Sequence, residues 1–406
     1  MFTIQTDMMQ TVAIAIIVLF VGKYLRGKVA FFERFCIPAP VIGGFLFAII
    51  HLLLKVGNIA TFEMDETLKN PFMMVFFTTI GLGANLETLK KGGKGFIIFT
   101  LISTALVVFQ NTIGMGLSKL LGQNSLLGLA CGSITMVGGH GTAGAWGPTL
   151  EEMGLQSGEV IALAAATFGV IMGSLIGGPV GSALIRRYNL TPDESSLQHF
   201  DEAGNIEVAP KDELTAYDFL KVLGVVFVSI GLGVILKKFL ADHVSIAGTP
   251  LNLPEYVAAM IFAAIYINTL GRGKTFGVDL RANSIVGDVG LNVFLVIALI
   301  SLDLMQLKAV AGPMLIVLFA QTVFMIIFTY LVTFTIMGKN YDAAVLAGGM
   351  CGFGMGATYN ALANMDSITE KYGPAPKAYF ILPMVGAFAI DIINVLIITG
   401  FAQIKF

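Results

Sequence analysis

Two glycine-rich polar tracts and one acidic residue stand out against an otherwise apolar chain. The first tract is Gly132-Ser133-Ile134-Thr135-Met136-Val137-Gly138-Gly139-His140-Gly141-Thr142-Ala143-Gly144-Ala145, and the second is Gly348-Gly349-Met350-Cys351-Gly352-Phe353-Gly354-Met355-Gly356-Ala357-Thr358-Tyr359-Asn360-Ala361. Hydroxyls on Ser133, Thr142 and Thr358 can meet a carboxylate or a cation, or bond back to their own helix. His140, the one histidine inside a tract, can donate to a carboxylate, carry a proton, or stay neutral against a nearby carbonyl. Asp391 lies within Ala387-Phe388-Ala389-Ile390-Asp391-Ile392-Ile393-Asn394. A carboxylate in so apolar a run is costly and by default a functional candidate. It could hold Na⁺, pair with an ammonium, titrate, or remain a hydrogen-bonded structural acid. Asn394, three residues on, shares its helical face.

The glycines say how such groups would be used. A chain that turns tightly beside a solute has no room for a Cβ. Half-helix N-termini then offer free N–H groups to carboxylates, while half-helix C-termini and unwound carbonyls suit Na⁺. A shift of 216 residues overlays the two tracts, pairing Gly132 with Gly348, Gly138 with Gly354, Thr142 with Thr358 and Ala145 with Ala361. Broken helices in corresponding positions of two half-chains mark a secondary transporter whose site lies between repeats. The sequence carries no phosphate-binding loop, no HExxH or CxxC pattern and no Gly-x-Ser-x-Gly elbow. Neither ATP drive within the chain nor enzyme chemistry is therefore expected.

These groups need a membrane scaffold, and the composition supplies one. Hydrophobic residues form 56% of the 406 and charged residues only 12%, about half the usual charged share. The net charge of −2 gives no pull toward nucleic acid. Cys36, Cys131 and Cys351 are too scattered for a disulfide frame or a metal cage. Apolar runs of spanning length fall near 8–25, 37–56, 71–86, 95–120 and 158–185, then near 217–240, 254–271, 286–304, 310–337 and 377–403. The first run follows Asp7 without a basic stretch, so it is expected to persist as a span and not as a cleaved signal. Phe109-Gln110-Asn111-Thr112 is echoed by Phe319-Ala320-Gln321-Thr322, which extends the repeat beyond the tracts. Gln110, Asn111 and Gln321, like Asn85, are weaker candidates; buried amides more often link helices than touch solutes. Trp146 is expected to pack.

Five crossings per half is an odd number, so the second half enters inverted, provided each tract dips in and returns. Charge placement supports that provision. Of the 24 Lys and Arg residues, Lys55, Lys69, Lys119, Lys237, Lys238, Lys308 and Lys405 fall outside and all the others on the cytoplasmic side, with both termini outside. The expected architecture is an all-α polytopic membrane protein with two inverted-topology repeats of five transmembrane helices. The first covers 1–187, with a re-entrant hairpin at about 125–149 open to the outside. A cytoplasmic linker covers 188–216. The second repeat covers 217–406, with its hairpin at about 341–366 open to the cytoplasm.

The chain resembles the bacterial sodium/glutamate symporters over nearly its whole length. The most specific stretches are Gly132–Thr135 with Gly138–Thr142, Met337-Gly338-Lys339-Asn340-Tyr341-Asp342-Ala343-Ala344-Val345-Leu346, and Cys351–Thr358. Ala363-Asn364-Met365 and Pro383-Met384-Val385-Gly386-Ala387-Phe388, ahead of Asp391, add to them. The resemblance implies Na⁺-coupled uptake of L-glutamate across the bacterial inner membrane, by a homodimer held in membrane lipid, through an elevator-type movement. One departure concerns Tyr359: the family pattern has proline after Gly-Ala-Thr. Here an N–H returns at that tip and a phenol is added, which bears on local geometry and substrate choice.

Under that resemblance, backbone N–H groups near Gly139, His140, Gly141, Gly356 and Ala357 take the two carboxylates, helped by Ser133, Thr142 and Thr358. Asp391 is the first acceptor for the ammonium, with Asn360 and Asn364 behind it. Na⁺ would meet tip carbonyls and oxygens of Thr135, Asn364, Asp391 and Asn394. No arginine lies in either tract, so hairpin dipoles replace a guanidinium clamp. The same fold carrying another amino acid or a dicarboxylate, an ion channel, and a membrane-embedded enzyme remain the alternatives.

Overall fold

The computed structural model describes residues 2–35, 37–84, 93–192, 213–243, 245–246, 249–250, 254–272, 276–356 and 358–404. Asn85, Ala357 and most of the central linker lie outside the described residues. The chain is mainly helical. In order it runs α1 Met8–Lys28, α2 Ala30–Arg34, α3 Ala39–Val56, α4 Lys69–Gly83, α5 Gly93–Leu120, α6 Ser125–Ala130, α7 Ser133–Met136, α8 Gly139–Glu152 and α9 Gly158–Tyr188. It continues with α10 Ala216–His243, α11 Glu255–Asn268, α12 Leu280–Ile300, α13 Ala311–Phe328, α14 Phe334–Ile336, α15 Tyr341–Phe353, α16 Thr358–Tyr372, α17 Pro376–Met384 and α18 Ile390–Ala402. Single π-helical turns, Thr329–Thr333 and Val385–Ala389, join α13 to α14 and α17 to α18.

Each of the ten apolar runs coincides with a helix. Among the described residues seven helices are long and apolar enough to cross a membrane. The chain is thus a multi-pass membrane protein. The other runs give α4 with 15 residues, α11 with 14, and the last segment, which its π-turn divides. Short strands were not expected from the periodicity: β1 Phe2–Gln5 pairs in parallel with β2 Ala60–Glu63, and β3 Ser245–Ile246 pairs with β4 Thr249–Pro250.

Local chemistry explains where helices start. The Asp7 carboxylate accepts from the N–H groups of Met9 and Gln10 at 2.8 Å each, and Gln10 Oε1 accepts from Asp7 N at 3.1 Å. That reciprocal box satisfies N–H groups the first turn leaves open. Arg26 and Lys28 in the last turn complement the dipole. Asn124 caps α6 and Asn340 caps α15, each through its side-chain oxygen. Both tract segments therefore begin with a defined cap.

The helices divide into two compact units, each drawing on both halves of the chain. One comprises Met1–Gly22, Gly43–Lys91 and Asp212–Ser301; the other comprises Lys23–Ile42, Gly92–Lys211 and Leu302–Phe406. In the first, Leu82, Val222, Val226, Ala263, Ile267, Ala282 and Val286 form a buried cluster. Gly81 lets α4 and α11 approach so closely that a Cβ there would lie 2.2 Å from the Met260 carbonyl oxygen. The second unit holds both glycine tracts and Asp391.

Candidate functional site

The first tract is a helix broken twice. Helix α6 ends at Ala130, α7 makes one turn, and α8 starts at Gly139 with φ +59°. That left-handed backbone favours glycine. Across the first break the Thr135 hydroxyl donates to the Ala130 carbonyl at 2.8 Å. Ser133, just past it, is held on both sides: its N–H donates to Asn111 Oδ1 at 2.8 Å, and its carbonyl accepts from Asn394 Nδ2 at 3.1 Å. The Ser133 hydroxyl is buried and has no partner among the described residues.

The second tract is broken once, at Gly354–Gly356, between α15 and α16. Gln110 Nε2 donates to the Gly354 carbonyl at 2.7 Å. Asn360 Nδ2 donates to the Val170 carbonyl at 3.0 Å, and Asn364 Nδ2 to those of Gly173 at 2.9 Å and Gly348 at 3.4 Å. Helix α9 meets this hairpin through glycines four residues apart. A Cβ on Gly169 would lie 2.4 Å from the Met355 carbonyl oxygen, one on Gly173 3.1 Å from that of Cys351, and one on Gly177 2.6 Å from that of Gly348. Such spacing puts small residues on one helical face, where backbones can touch.

The two tracts meet at their tips. A Cβ on Gly139 would sit 2.5 Å from the Gly356 carbonyl oxygen. Gly139 opens α8, and Gly356 lies two residues before α16, so two helix N-termini come together. The first N–H groups of each helix lack intrahelical acceptors, and their dipoles add at one place. Gly141 is half-buried and Thr142 buried beside them. Thr358 is half-buried, its hydroxyl 2.7 Å from where a Cβ on Gly386 would lie.

His140 is buried, with Nε2 3.0 Å from the Thr167 hydroxyl oxygen. That hydroxyl donates its proton to the Leu163 carbonyl at 2.9 Å, so Nε2 must carry the hydrogen of the imidazole. That leaves Nδ1 as the ring nitrogen available to a solute. Thr167 and the α9 glycines were missed in the sequence; the four-residue spacing was the signal. Gln321 links helices as expected, but Gln110 and Asn111 each also grip a break.

Asp391 is half-buried in the first turn of α18, a helix that packs on α5 and α7. It makes no hydrogen bond or ion pair with a described residue. Its neighbour Asn394 is the one that reaches the first break. Among the described residues no cluster of three His, Cys, Asp or Glu side chains exists, so a cation there would draw mainly on carbonyl, amide and hydroxyl oxygens, joined at most by a lone carboxylate such as that of Asp391. Asn360 Oδ1, Asn394 Oδ1 and Ser133 Oγ are buried without partners among the described residues. Each such group costs about 1–3 kcal/mol when left unmet, which a bound cation or ammonium would offset. An anion at the tips beside a cation on these oxygens fits a chain whose sequence profile, over residues 4–374, is that of the sodium/glutamate symporter family.

The chain belongs to that family. The sodium/glutamate symporter of Escherichia coli (strain K12) is 40% identical over 396 residues, covering 97% of this chain and 96% of its own length. That of Shigella flexneri matches equally. The Haemophilus influenzae (strain ATCC 51907 / DSM 11121 / KW20 / Rd) protein of the same name is 40% identical over 388 residues, 95% of this chain and 94% of its own. Tyr359 occupies the second position of α16.

Proposed function

We propose that this protein is a secondary transporter that carries L-glutamate into the cell together with Na⁺, and not an enzyme. The observation that carries this reading is the meeting of two helix N-termini at Gly139 and Gly356. Carboxylates of the substrate take N–H groups near Gly139, His140, Gly141, Gly356 and Ala357, with Ser133, Thr142 and Thr358 alongside. Asp391 receives the ammonium, backed by Asn360. Na⁺ is cargo, taken by oxygens of Thr135, Asn364, Asp391 and Asn394. Because Thr135 and Asn364 direct their protons at backbone carbonyls, their lone pairs remain for a cation. Bound Na⁺ completes the region that glutamate needs, so each raises the affinity for the other.

In this reading the chain forms two inverted repeats, 1–187 and 217–406, joined by a cytoplasmic linker over 188–216, with re-entrant hairpins around 125–149 and 341–366. The composition of the compact units supports it: shifted by 216, 1–22 and 43–91 fall at 217–238 and 259–307, almost wholly within 212–301 of the same unit, and 92–190 falls at 308–406, within 302–406 of the other; only 23–42, whose counterpart is 239–258, changes unit. The unit that holds both tracts is the moving body of an elevator, and the other is its scaffold. The protein works as a homodimer in lipid of the bacterial inner membrane, with both termini outside.

Uptake of labelled glutamate into proteoliposomes, under imposed Na⁺, proton and voltage gradients, tests the function. Accumulation driven by Na⁺ is the expected result; accumulation indifferent to Na⁺ would sink the reading. Because neither tract contains arginine, the runner-up is another amino acid or dicarboxylate on the same scaffold. Competition of labelled uptake by such solutes separates the two.

A further inference from the structure

Gln110 and Asn111 are adjacent on α5, fully buried, and attached to different breaks. Gln110 gives its amide hydrogen to Gly354 at the turn of the second tract. Asn111 takes the N–H of Ser133 at the first. Both partners are backbone groups beside a break, where a continuous helix would have satisfied them itself. The two side chains thus stand in for missing helical rungs.

The contacts continue in both directions. The carbonyl of Ser133 accepts from Asn394 of α18, three residues from Asp391. The backbone carbonyl of Gln110 accepts from Gln321 Nε2 at 2.7 Å. A chain of polar contacts therefore runs Asn394–Ser133–Asn111–Gln110–Gly354. Its middle step is the planar peptide that joins the two residues inside a helix. Gln110 Oε1 and Asn111 Nδ2 are buried without partners among the described residues, so each amide holds its break by a single bond.

We propose that the Gln110-Asn111 pair is the positioning link that couples the two breaks, so that a cation ordering one break orders the other for glutamate. The proposal rests on the Na⁺/glutamate reading above. Neither residue touches cargo; both act through the backbone they hold. Gln321 makes a buried amide bond of the same kind, but to the helix and not to a break, which makes it the control.

The test is glutamate binding to purified protein in Na⁺ and in choline buffer, read as the ratio of the two dissociation constants. In Gln110→Met and in Asn111→Leu this ratio should fall about tenfold toward unity, within the usual range of coupling energies. In Gln321→Met it should stay at the wild-type value even if the melting temperature drops. If Asn111→Leu is not monodisperse, Gln110→Met carries the test, since either loss cuts the chain. A Na⁺-sensitive wild type whose ratio is unaltered in Gln110→Met, or lowered as much in Gln321→Met, overturns the link alone. A wild type indifferent to Na⁺ overturns the transport reading and the link with it.

Discussion

At the level of single residues, two positions separate a packing role from a functional one. Gly139 combines a left-handed φ of +59° with a backbone oxygen 2.5 Å from any added Cβ. Alanine there meets strain of about 1–2 kcal/mol and must also push the tips apart. Gly116, near the C-terminal end of α5, has nothing within 4 Å, and alanine there should stabilise by about 0.5–1 kcal/mol. Gly139→Ala is therefore expected to abolish uptake and Gly116→Ala to leave it intact, as measured in proteoliposomes. Equal activity of the two would remove the tip from the site. Asp391→Asn keeps the size of the side chain and removes its charge. Na⁺-driven uptake should fall at least about tenfold, or 1.4 kcal/mol, with an unchanged elution profile; unchanged kinetics would exclude Asp391. The glycines and Asp391 were legible because their types conflict with a lipid-facing helix. The grip of Asn111 and Asn394 on Ser133 was not, because no local rule says which backbone group a distant amide will reach.

Among the elements, α9 is the strip on which the second hairpin lies. A Cβ at Gly177 would fall 2.0 Å from Asn364 Nδ2 as well as near the Gly348 oxygen. Gly177→Val should lower the thermal midpoint and uptake together, overpacking of this kind costing about 1–3 kcal/mol. A normal midpoint would mean that the helices part easily. Tyr359 tests the opposite kind of change. It sits in the first turn of α16, where proline is tolerated because the N–H has no intrahelical partner. Tyr359→Pro should fold normally while shifting the KM for glutamate or its ranking against other anions; identical constants would make the substitution silent. Apolar runs foretold the ten long segments. They understated the hairpin arms, which reach Glu152 and Tyr372, because Glu151, Asp366 and Glu370 end the apolar pattern without ending the helix. The π-turns and short strands were invisible, since both depend on pairing that periodicity does not record.

For the molecule as a whole, orientation is the property most open to measurement. Met153, after α8, and Lys371, at the end of α16, are both exposed. Inverted repeats put them on opposite sides. A membrane-impermeant maleimide should label Met153→Cys in intact cells and Lys371→Cys only after permeabilisation. Labelling of both from outside would refute the inverted arrangement. Cys131 and Cys351 are buried and should contribute little background.

One contact also bears on biosynthesis. The carbonyl of Ser133 is secured by Asn394, 261 positions later. At about 5–20 residues per second, a ribosome needs roughly ten to fifty seconds to supply that partner. Throughout that interval the nascent amino-terminal half sits in the bilayer with its loop half-tethered. Premature termination at or before codon 394 would leave it so permanently.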